Sequence, residues 1–301
     1  KTNDDQLIFE EKSEAFTVGI SLSSDEKYFF ITTSDHNTSE QYYFDGDEKE
    51  PMPKLIKERK KGILYSVNSW NRKFYNHTNE DAEDFKIDVT EDLDNQDWKT
   101  FIPAKDEVLI GGLTFLNNWV IRSETSNALD KLFVRNVLTE KEEELIFSDE
   151  DVYVPGISLI QRNKNTDKIY LGYSSPKTQA RVYSYNLSTK EKELVKEQEI
   201  PSGHDPKNYI VERIDCKSHD GRMVPLTIIR HKNTKLDGSA NLLLYGYGSY
   251  GSSMSPGFSS TRLSLINRDI IWVTAHIRGG MERGMKWWKE GKLLNKKNTF
   301  K

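Results

Sequence analysis

Two tyrosines in a glycine-rich segment are the residues of this sequence best suited to chemistry. Tyr247 and Tyr250 stand in the run Gly246-Tyr-Gly-Ser-Tyr-Gly251, at the end of an apolar stretch that starts at Leu242. A tyrosine phenol donates a hydrogen bond at neutral pH, and at a strand end it could aim that bond at a developing oxyanion. The alternative is that both are ordinary core aromatics, and composition alone leaves that alternative open.

The same glycines match G-x-G-x-x-G, the pattern of a dinucleotide-binding loop, and Asp269 lies near where a ribose-binding acid would be expected. In such a loop the glycines open a helix whose N-terminus meets the pyrophosphate. Here Ser-Ser-Met-Ser-Pro-Gly follows at 252–257, which predicts a loop. A dinucleotide site is therefore disfavoured.

A nucleophile is missing from the motifs. A hydrolase with a nucleophile elbow needs a serine in G-x-S-x-G, then an aspartate, then a histidine. No G-x-S-x-G occurs in the 301 residues, and Ser249 lies between Gly248 and Tyr250, which does not fit an elbow. Each of the six histidines is more simply explained as a solvated or packing residue. We therefore expect no complete triad here, no metal site and no cofactor.

The elements that must position the tyrosines alternate between strands and helices. Apolar runs at 242–247 and 270–276 predict buried parallel strands that end at glycines. Capping residues and helical spacing predict helices at 259–267 and 283–292. Alternation of this kind is typical of an α/β domain, which we place at residues 209–301.

A hairpin opens this domain. Asp220-Gly221 is a strong turn signal between strands predicted from Tyr209 and from Met223, and Cys216 is expected to be a small packing residue on the first of them. The two prolines and one glycine just before the hairpin predict a linker at residues 202–208.

The chain before the linker carries a different pattern. Similar strands recur near Val18, Ile63, Val108 and Val154, an interval of roughly 45 residues that is the period of a propeller blade. Second and third strands keep the same offsets, and a polar turn follows each third strand. Residues 1–201 are therefore predicted to form about four blades of four strands, with an unrelated all-β sandwich as the alternative. Residues 6–10 are predicted to be the last strand of a preceding blade, so earlier blades are expected to be missing.

Composition excludes several classes of protein. Hydrophobic residues make up 36% and charged residues 30%, with thirteen Phe and fourteen Tyr, so the chain is polar but not disordered. The net charge of -4 and the interspersed signs argue against a nucleic-acid-binding face. No run is long enough for a membrane span and no signal peptide is visible. The single cysteine fits a reducing compartment, so we expect a cytoplasmic protein.

The sequence after the linker resembles the prolyl oligopeptidase family of serine peptidases, and within it the oligopeptidase B (protease II) branch. The resemblance rests on Leu-Leu-Tyr-Gly-Tyr-Gly-Ser-Tyr-Gly, Pro-Gly-Phe-Ser, Ala-His-Ile-Arg-Gly-Gly and the run from Trp288 to Phe300, all within residues 241–300. It implies a seven-bladed propeller joined to an α/β-hydrolase domain. The catalytic serine, aspartate and histidine would lie beyond Phe300, so we expect a fragment that lacks both ends.

The resemblance also implies roles for three residues. Tyr247 matches the family tyrosine that donates to the oxyanion, and Tyr250 matches an aromatic wall of the substrate pocket. Arg278 matches a turn beside the active site and is taken as a second substrate-binding residue. Two departures stand out: Met281 replaces a family glycine, which would tighten the turn if positive φ were needed, and the loop before Phe258 has no acidic residue.

The resemblance implies hydrolysis of short peptides after Lys or Arg, with the propeller gating access. We expect these 301 residues alone to be inactive, and a complementing C-terminal fragment to be a possible partner. We expect neither a nucleic-acid nor a membrane partner. The alternative is a non-catalytic β-propeller interaction protein from a split or decaying peptidase gene.

Overall fold

The computed structural model describes residues 5–159 and 164–301. The chain divides into two compact units, Lys1–Lys105 and Asp106–Lys301. In the described residues there are five sheets of four strands each. This confirms the predicted fold class, mainly β with four blade-like sheets and then an α/β portion.

The first unit holds two antiparallel sheets in which successive strands pair with their chain neighbours. Their bounds are β1 Thr17–Leu22, β2 Tyr28–Ser34, β3 Ser39–Asp45 and β4 Lys54–Lys57, then β5 Tyr65–Trp70, β6 Lys73–Thr78, β7 Lys86–Thr90 and β8 Lys99–Ile102.

The second unit begins with two sheets of the same kind. Their bounds are β9 Val108–Leu116, β10 Trp119–Ser126, β11 Leu129–Asn136 and β12 Glu142–Glu144, then β13 Val154–Leu159, β14 Lys168–Ser174, β15 Arg181–Asn186 and β16 Lys192–Glu197.

Local irregularities repeat along with the strands. The pairing of third and fourth strands shifts register in three of the four sheets, between Gln41 and Tyr42, Ile87 and Asp88, and Val182 and Tyr183. In each case the fourth strand has one extra residue, which is a β-bulge. The repeat predicted from spacing is therefore present in the backbone, and the sandwich alternative is not what forms.

Alternating side chains of neighbouring sheets build the cores. In the second unit, Leu116, Ile121 and Val134 of one sheet share a cluster with Ile169 and Leu171 of the next. In the first unit, Phe30 of β2 packs in a cluster with Val67 and Phe74 of the following sheet. Because strand residues alternate between faces, each sheet offers one such row to its neighbour.

The fifth sheet is mixed and has the strand order β17-β18-β20-β19. Two helices and two 3-10 helices accompany it. The bounds are 3-10 helix Pro206–Asn208, β17 Tyr209–Lys217, β18 Met223–His231, β19 Leu242–Tyr245, α1 Ser260–Ile266, β20 Ile271–Ala275, α2 Gly284–Lys289 and 3-10 helix Leu293–Thr299. Leu263 and Ile266 of α1 pack on Ile229 of β18, so one face of the sheet is covered by this helix.

Four expectations about local structure are wrong. The first apolar run forms the shorter strand β19, and its Leu242 and Leu244 are 59% and 63% exposed, because nothing among the described residues covers that face. Cys216 is exposed on β17. Residues 6–10 form no strand. The helix predicted at 283–292 is the six-residue α2, followed by a 3-10 helix.

Two searches of the described residues bear on function. Their helices are all too short or too polar to cross a bilayer. They also contain no cluster of three or more His, Cys, Asp or Glu side chains that could hold a metal ion. The predicted linker at 202–208 falls inside the second unit, so the proposed division into residues 1–201 and 209–301 stays a prediction.

Candidate active site

The two glycine motifs meet because β19 and β20 are parallel. Leu242 pairs with Ile271 and Tyr245 with Thr274, so both strands deliver their carboxyl ends to the same edge of the sheet. That edge is where ligands bind in open α/β sheets. The Gly251 amide donates a hydrogen bond of 2.9 Å to the Gly279 carbonyl, and this bond joins the two turns.

Close backbone approach explains the glycines. A Cβ on Gly279 would lie 2.0 Å from the carbonyl oxygen of Gly248, and Gly279 has φ +101°. Gly248 itself has φ +61°, and its Cβ would lie 2.7 Å from the Arg278 carbonyl oxygen. Only glycine adopts such backbone angles at no steric cost and also leaves room for the neighbouring chain.

The last 3-10 helix braces these turns. Thr299 Oγ1 lies 2.9 Å from the Arg278 carbonyl oxygen, to which it donates. The Lys296 ammonium donates to the Gly248 carbonyl and, at 2.7 Å, to Ser249 Oγ. The turn that carries both tyrosines is therefore held at several points, which is the rigidity that an oriented donor needs.

Both tyrosines point outward from this fixed turn. Tyr247 is 43% exposed and Tyr250 is 77% exposed, so neither is a core aromatic. Tyr250 has φ +56°, a left-handed backbone conformation that is uncommon for a bulky residue. An exposed phenol at the carboxyl end of β19 can donate a hydrogen bond to a bound group.

Arg278 has a different environment. Its side chain is 2% exposed and forms a bidentate ion pair with Asp220, with a further hydrogen bond of 3.1 Å to Ser218 Oγ. The hydrogen bond from Arg278 lowers the pKa of Asp220 to about 2. The guanidinium thus fastens the β17–β18 turn to the glycine motif. The Arg278 guanidinium is therefore already engaged by Asp220 and Ser218. A substrate contact for Arg278 stays a prediction.

Met281 causes no backbone strain. Met281 is not among the residues with positive φ. Its side chain fills the space beside Gly251: a Cβ added to Gly251 would lie 2.4 Å from the Met281 methyl carbon. The departure from the family glycine is therefore accommodated by packing, and the tighter turn considered from sequence does not form.

His276 is buried at the end of β20. Its Nε2 lies 2.8 Å from Thr227 Oγ1, while Nδ1 makes no hydrogen bond to the described residues. Burial, reinforced by the positive charge of Arg213 and opposed by the Met254 backbone, lowers the pKa of His276 to about 4. A neutral, enclosed ring of this kind fits the packing role expected from sequence.

Glu282 is the second buried titratable group near the turns. It is 1% exposed, and its Oε1 accepts a 2.9 Å hydrogen bond from the Met254 amide. Oε2 has no partner among the described residues. Burial raises the pKa of Glu282 to about 7, against the opposing effect of backbone amides.

The β9–β12 sheet contacts this region. The Ala128 amide donates 2.8 Å to the Glu282 carbonyl oxygen, and Arg213 of β17 donates to the carbonyl oxygen of Asn127 in the same turn. Glu107, just before β9, receives ion pairs of 3.0 Å from both Arg222 and Arg283. These contacts fix the blade-like sheet against the α/β portion of its own unit.

Sequence reasoning missed these contacts and also Trp287. This indole is fully buried, and the guanidinium groups of Arg222, Arg278 and Arg283 lie 5.3–5.8 Å from its centroid. Such cation–π contacts are attractive. In the sequence, basic residues flank the aromatic pair at 287–288, and this was the one available signal of the cation–π contacts. That spacing does not reveal the arginines that come from other elements.

An open, mostly apolar groove of about 380 Å³ lies on the mixed sheet. Among its lining residues are Leu226, Leu244, Ala275, Ile277 and Phe300. The exposed side chain of Leu244 on β19 faces this groove.

Comparison with known proteins decides the family. Residues 1–198 match the model for the prolyl oligopeptidase N-terminal β-propeller domain. The chain belongs to the prolyl oligopeptidase family. The four blade-like sheets are therefore blades of the family propeller, as predicted.

Curated relatives match both parts of the chain. Dipeptidyl aminopeptidase BI of Pseudoxanthomonas mexicana is 33% identical over 98% of this chain and 41% of its own length. Protease 2 of Moraxella lacunata is 32% identical over 98% of this chain and 42% of its own length. The chain thus spans about two fifths of these relatives.

A solved structure agrees. Oligopeptidase B from Trypanosoma brucei, with covalently bound antipain in a closed form, superposes with a TM-score of 0.90 at 28% identity, over 97% of this chain and 43% of that one. The predicted resemblance to the family and to oligopeptidase B is confirmed.

Proposed function

We propose that these residues are part of a serine oligopeptidase related to oligopeptidase B, in which Tyr247 donates a hydrogen bond to the oxyanion. The observation that carries the proposal is the exposed phenol of Tyr247 at the carboxyl end of β19, in a turn fixed by Gly248 and Gly279. Membership of a peptidase family supports the reaction class.

The chemistry assigned to this turn is electrostatic. When a nucleophile attacks a peptide carbonyl, its oxygen gains charge, and a donor already aimed at that position stabilises the transition state more than the ground state. The phenol of Tyr247 supplies such a donor. Tyr250 would form one wall of the pocket, and Arg278 would act beside it.

The proposed substrates are short peptides cut after Lys or Arg, which is what the resemblance of residues 241–300 to oligopeptidase B implies. Residues 1–201 would belong to a propeller that restricts entry to the site. The absence of an acidic residue from the loop at 252–258 means that acids elsewhere in the whole protein would have to recognise a basic side chain. We also propose a cytoplasmic location, on the evidence of the single Cys216.

We propose that these residues alone are inactive, because they contain no G-x-S-x-G. The nucleophile, aspartate and histidine would come from further polypeptide, for which the apolar groove beside β19 offers a docking face. The test adds a C-terminal polypeptide that carries the three residues and measures hydrolysis of a fluorogenic Arg-Arg substrate. Turnover by the chain alone, or none after mixing, would contradict the proposal.

A second candidate activity is removal of dipeptides from a free N-terminus, favoured by the 33% identity to Dipeptidyl aminopeptidase BI. The two activities differ in how they treat the substrate's amino end. Comparing the same Arg-Arg substrate with a free and with a blocked N-terminus separates them, since only the endopeptidase accepts the blocked form.

The non-catalytic alternative, a propeller interaction protein, makes a different prediction for the same assay. Under that alternative no complementing polypeptide restores turnover with either substrate.

A further inference from the structure

The loop between the tyrosine turn and α1 depends on a side chain from another segment. Residues 252–258 contain neither helix nor strand. The Met254 amide of this loop donates to Glu282 Oε1 at 2.9 Å. Glu282 follows the second glycine motif, so one carboxyl group links the loop to the opposite turn.

The carboxyl group has little freedom. It folds back over Gly280, where a Cβ would lie 2.1 Å from Glu282 Oε2. That Oε2 is buried and has no hydrogen-bond partner in residues 5–159 and 164–301. A buried carboxylate with one unpaired oxygen is costly unless it is protonated or reaches water.

We propose that Glu282 is a pH-responsive positioning residue: its carboxyl group holds the 252–258 loop through the Met254 amide, and because its buried, unpaired Oε2 makes ionisation in place more costly than the stronger bond to Met254 returns, ionisation favours the state in which the loop is released and the carboxylate reaches water.

Charged neighbours do not neutralise an ionised Glu282. Arg213 of β17 lies close enough to His276, at the end of β20, to lower the pKa of its ring. Burial and backbone hydrogen bonds shift the pKa of Glu282, with no contribution from a charged side chain of the described residues. Arg213 donates to the Asn127 carbonyl on the β10–β11 turn, and neither it nor His276 donates to the Glu282 carboxyl group. The pKa of His276 is lowered to about 4, so its ring is already neutral where Glu282 ionises.

Linkage sets the size of the effect. The pKa of Glu282 is raised to about 7 by burial, whereas a carboxyl group in water has a pKa of about 4.3. Because ionisation is easier in the released loop, the released fraction rises with pH and levels off above the buried value. Those two values correspond to about a tenfold rise between pH 6 and pH 8.

Hydrogen exchange of the Met254 amide in the full chain, followed by NMR and corrected for intrinsic exchange, measures the released fraction. We expect its protection to fall about tenfold from pH 6 to pH 8. Glu282→Gln, which keeps an acceptor but cannot ionise, should give protection that does not change with pH. Glu212→Gln, which alters an exposed carboxylate of β17, should behave like the unmodified chain.

Two results would overturn the proposal: pH-independent protection in the unmodified chain, or an unchanged pH profile in Glu282→Gln. Should Glu282→Gln fail to fold, a carbon-13 NMR titration of the Glu282 carboxyl group in the unmodified chain decides. A midpoint near 7 supports the proposal and one near 4.3 contradicts it. Neither measurement depends on peptidase activity, so the inference stands or fails separately from the proposed function.

Discussion

The Gly251 amide donates a hydrogen bond to the Gly279 carbonyl oxygen at 2.9 Å. This bond joins the turn after β19 to the turn after β20, at the edge of the sheet where Tyr247 is exposed. The geometry depends on glycines, since Gly279 has φ +101° and touches the Gly248 backbone.

Replacing Gly279 with alanine should therefore destabilise the fold. The added Cβ would lie 2.0 Å from a backbone oxygen, where no flexible side chain can yield, and the positive φ adds strain. We expect a loss of about 2–4 kcal/mol in the free energy of unfolding, measured by urea denaturation. Gly112→Ala is the matched control, since nothing lies within 4 Å of its Cβ; a similar loss there would remove the explanation by close approach.

The Arg278–Asp220 pair should give acid sensitivity. The pKa of Asp220 is lowered to about 2 by its bond with Arg278, so its contribution is present above the unfolded pKa near 4 and is lost as pH falls towards 2. Asp220→Asn should lower Tm at pH 7 and flatten the loss of stability between pH 4 and pH 2. Thermal unfolding across that range measures both.

Asp47→Asn serves as a control for that experiment, because Asp47 is an exposed turn residue. If it flattens the acid profile as much as Asp220→Asn does, the Arg278 pair is not the cause.

His276 and Glu282 should give pH slopes of opposite sign. The pKa of His276 is lowered to about 4, so its contribution to stability rises with pH from about 4 to about 6.5. The pKa of Glu282 is raised to about 7, so its contribution falls as pH rises from about 4.3 to about 7 and then levels off. Each slope can reach about 1.4 kcal/mol per pH unit.

Single variants expose these slopes. Between pH 4.5 and pH 6.5, stability relative to the unmodified chain should rise with pH in Glu282→Gln and fall with pH in His276→Gln. Urea denaturation at several pH values gives the differences. Parallel profiles for the two variants would show that these groups do not titrate as their burial implies.

The sequence predicted what depends on local pattern. The recurrence of strands near Val18, Ile63, Val108 and Val154 revealed the blades, because strand patterning and turn residues are local signals. The glycine motifs marked the turns for the same reason. The position of Tyr247 just beyond the end of β19 could therefore be predicted from the sequence.

What escaped prediction depends on pairing between distant segments. Arg278 and Asp220 are far apart in the chain and meet only because of the order of the strands in the sheet. Glu282 reaches the Met254 amide for the same reason. The exposure of Leu244 was missed because an apolar run does not say whether a neighbour covers it.

The role of Tyr247 leads to a kinetic prediction. In an active complex that includes this chain, Tyr247→Phe keeps the ring and removes the donor. We expect kcat to fall about 10²–10³-fold with little change in KM, as for the loss of one oxyanion donor. Tyr245→Phe, which alters a half-exposed phenol on β19 itself, should leave kcat nearly unchanged.

The most direct test of the account is the rate of Arg-Arg substrate hydrolysis after this chain is mixed with a polypeptide that carries the missing serine, aspartate and histidine. The account predicts no turnover by either part alone, turnover by the mixture, and a rate about 10²–10³-fold lower when the chain carries Tyr247→Phe. Equal turnover with Tyr247 and with Phe at this position would contradict it.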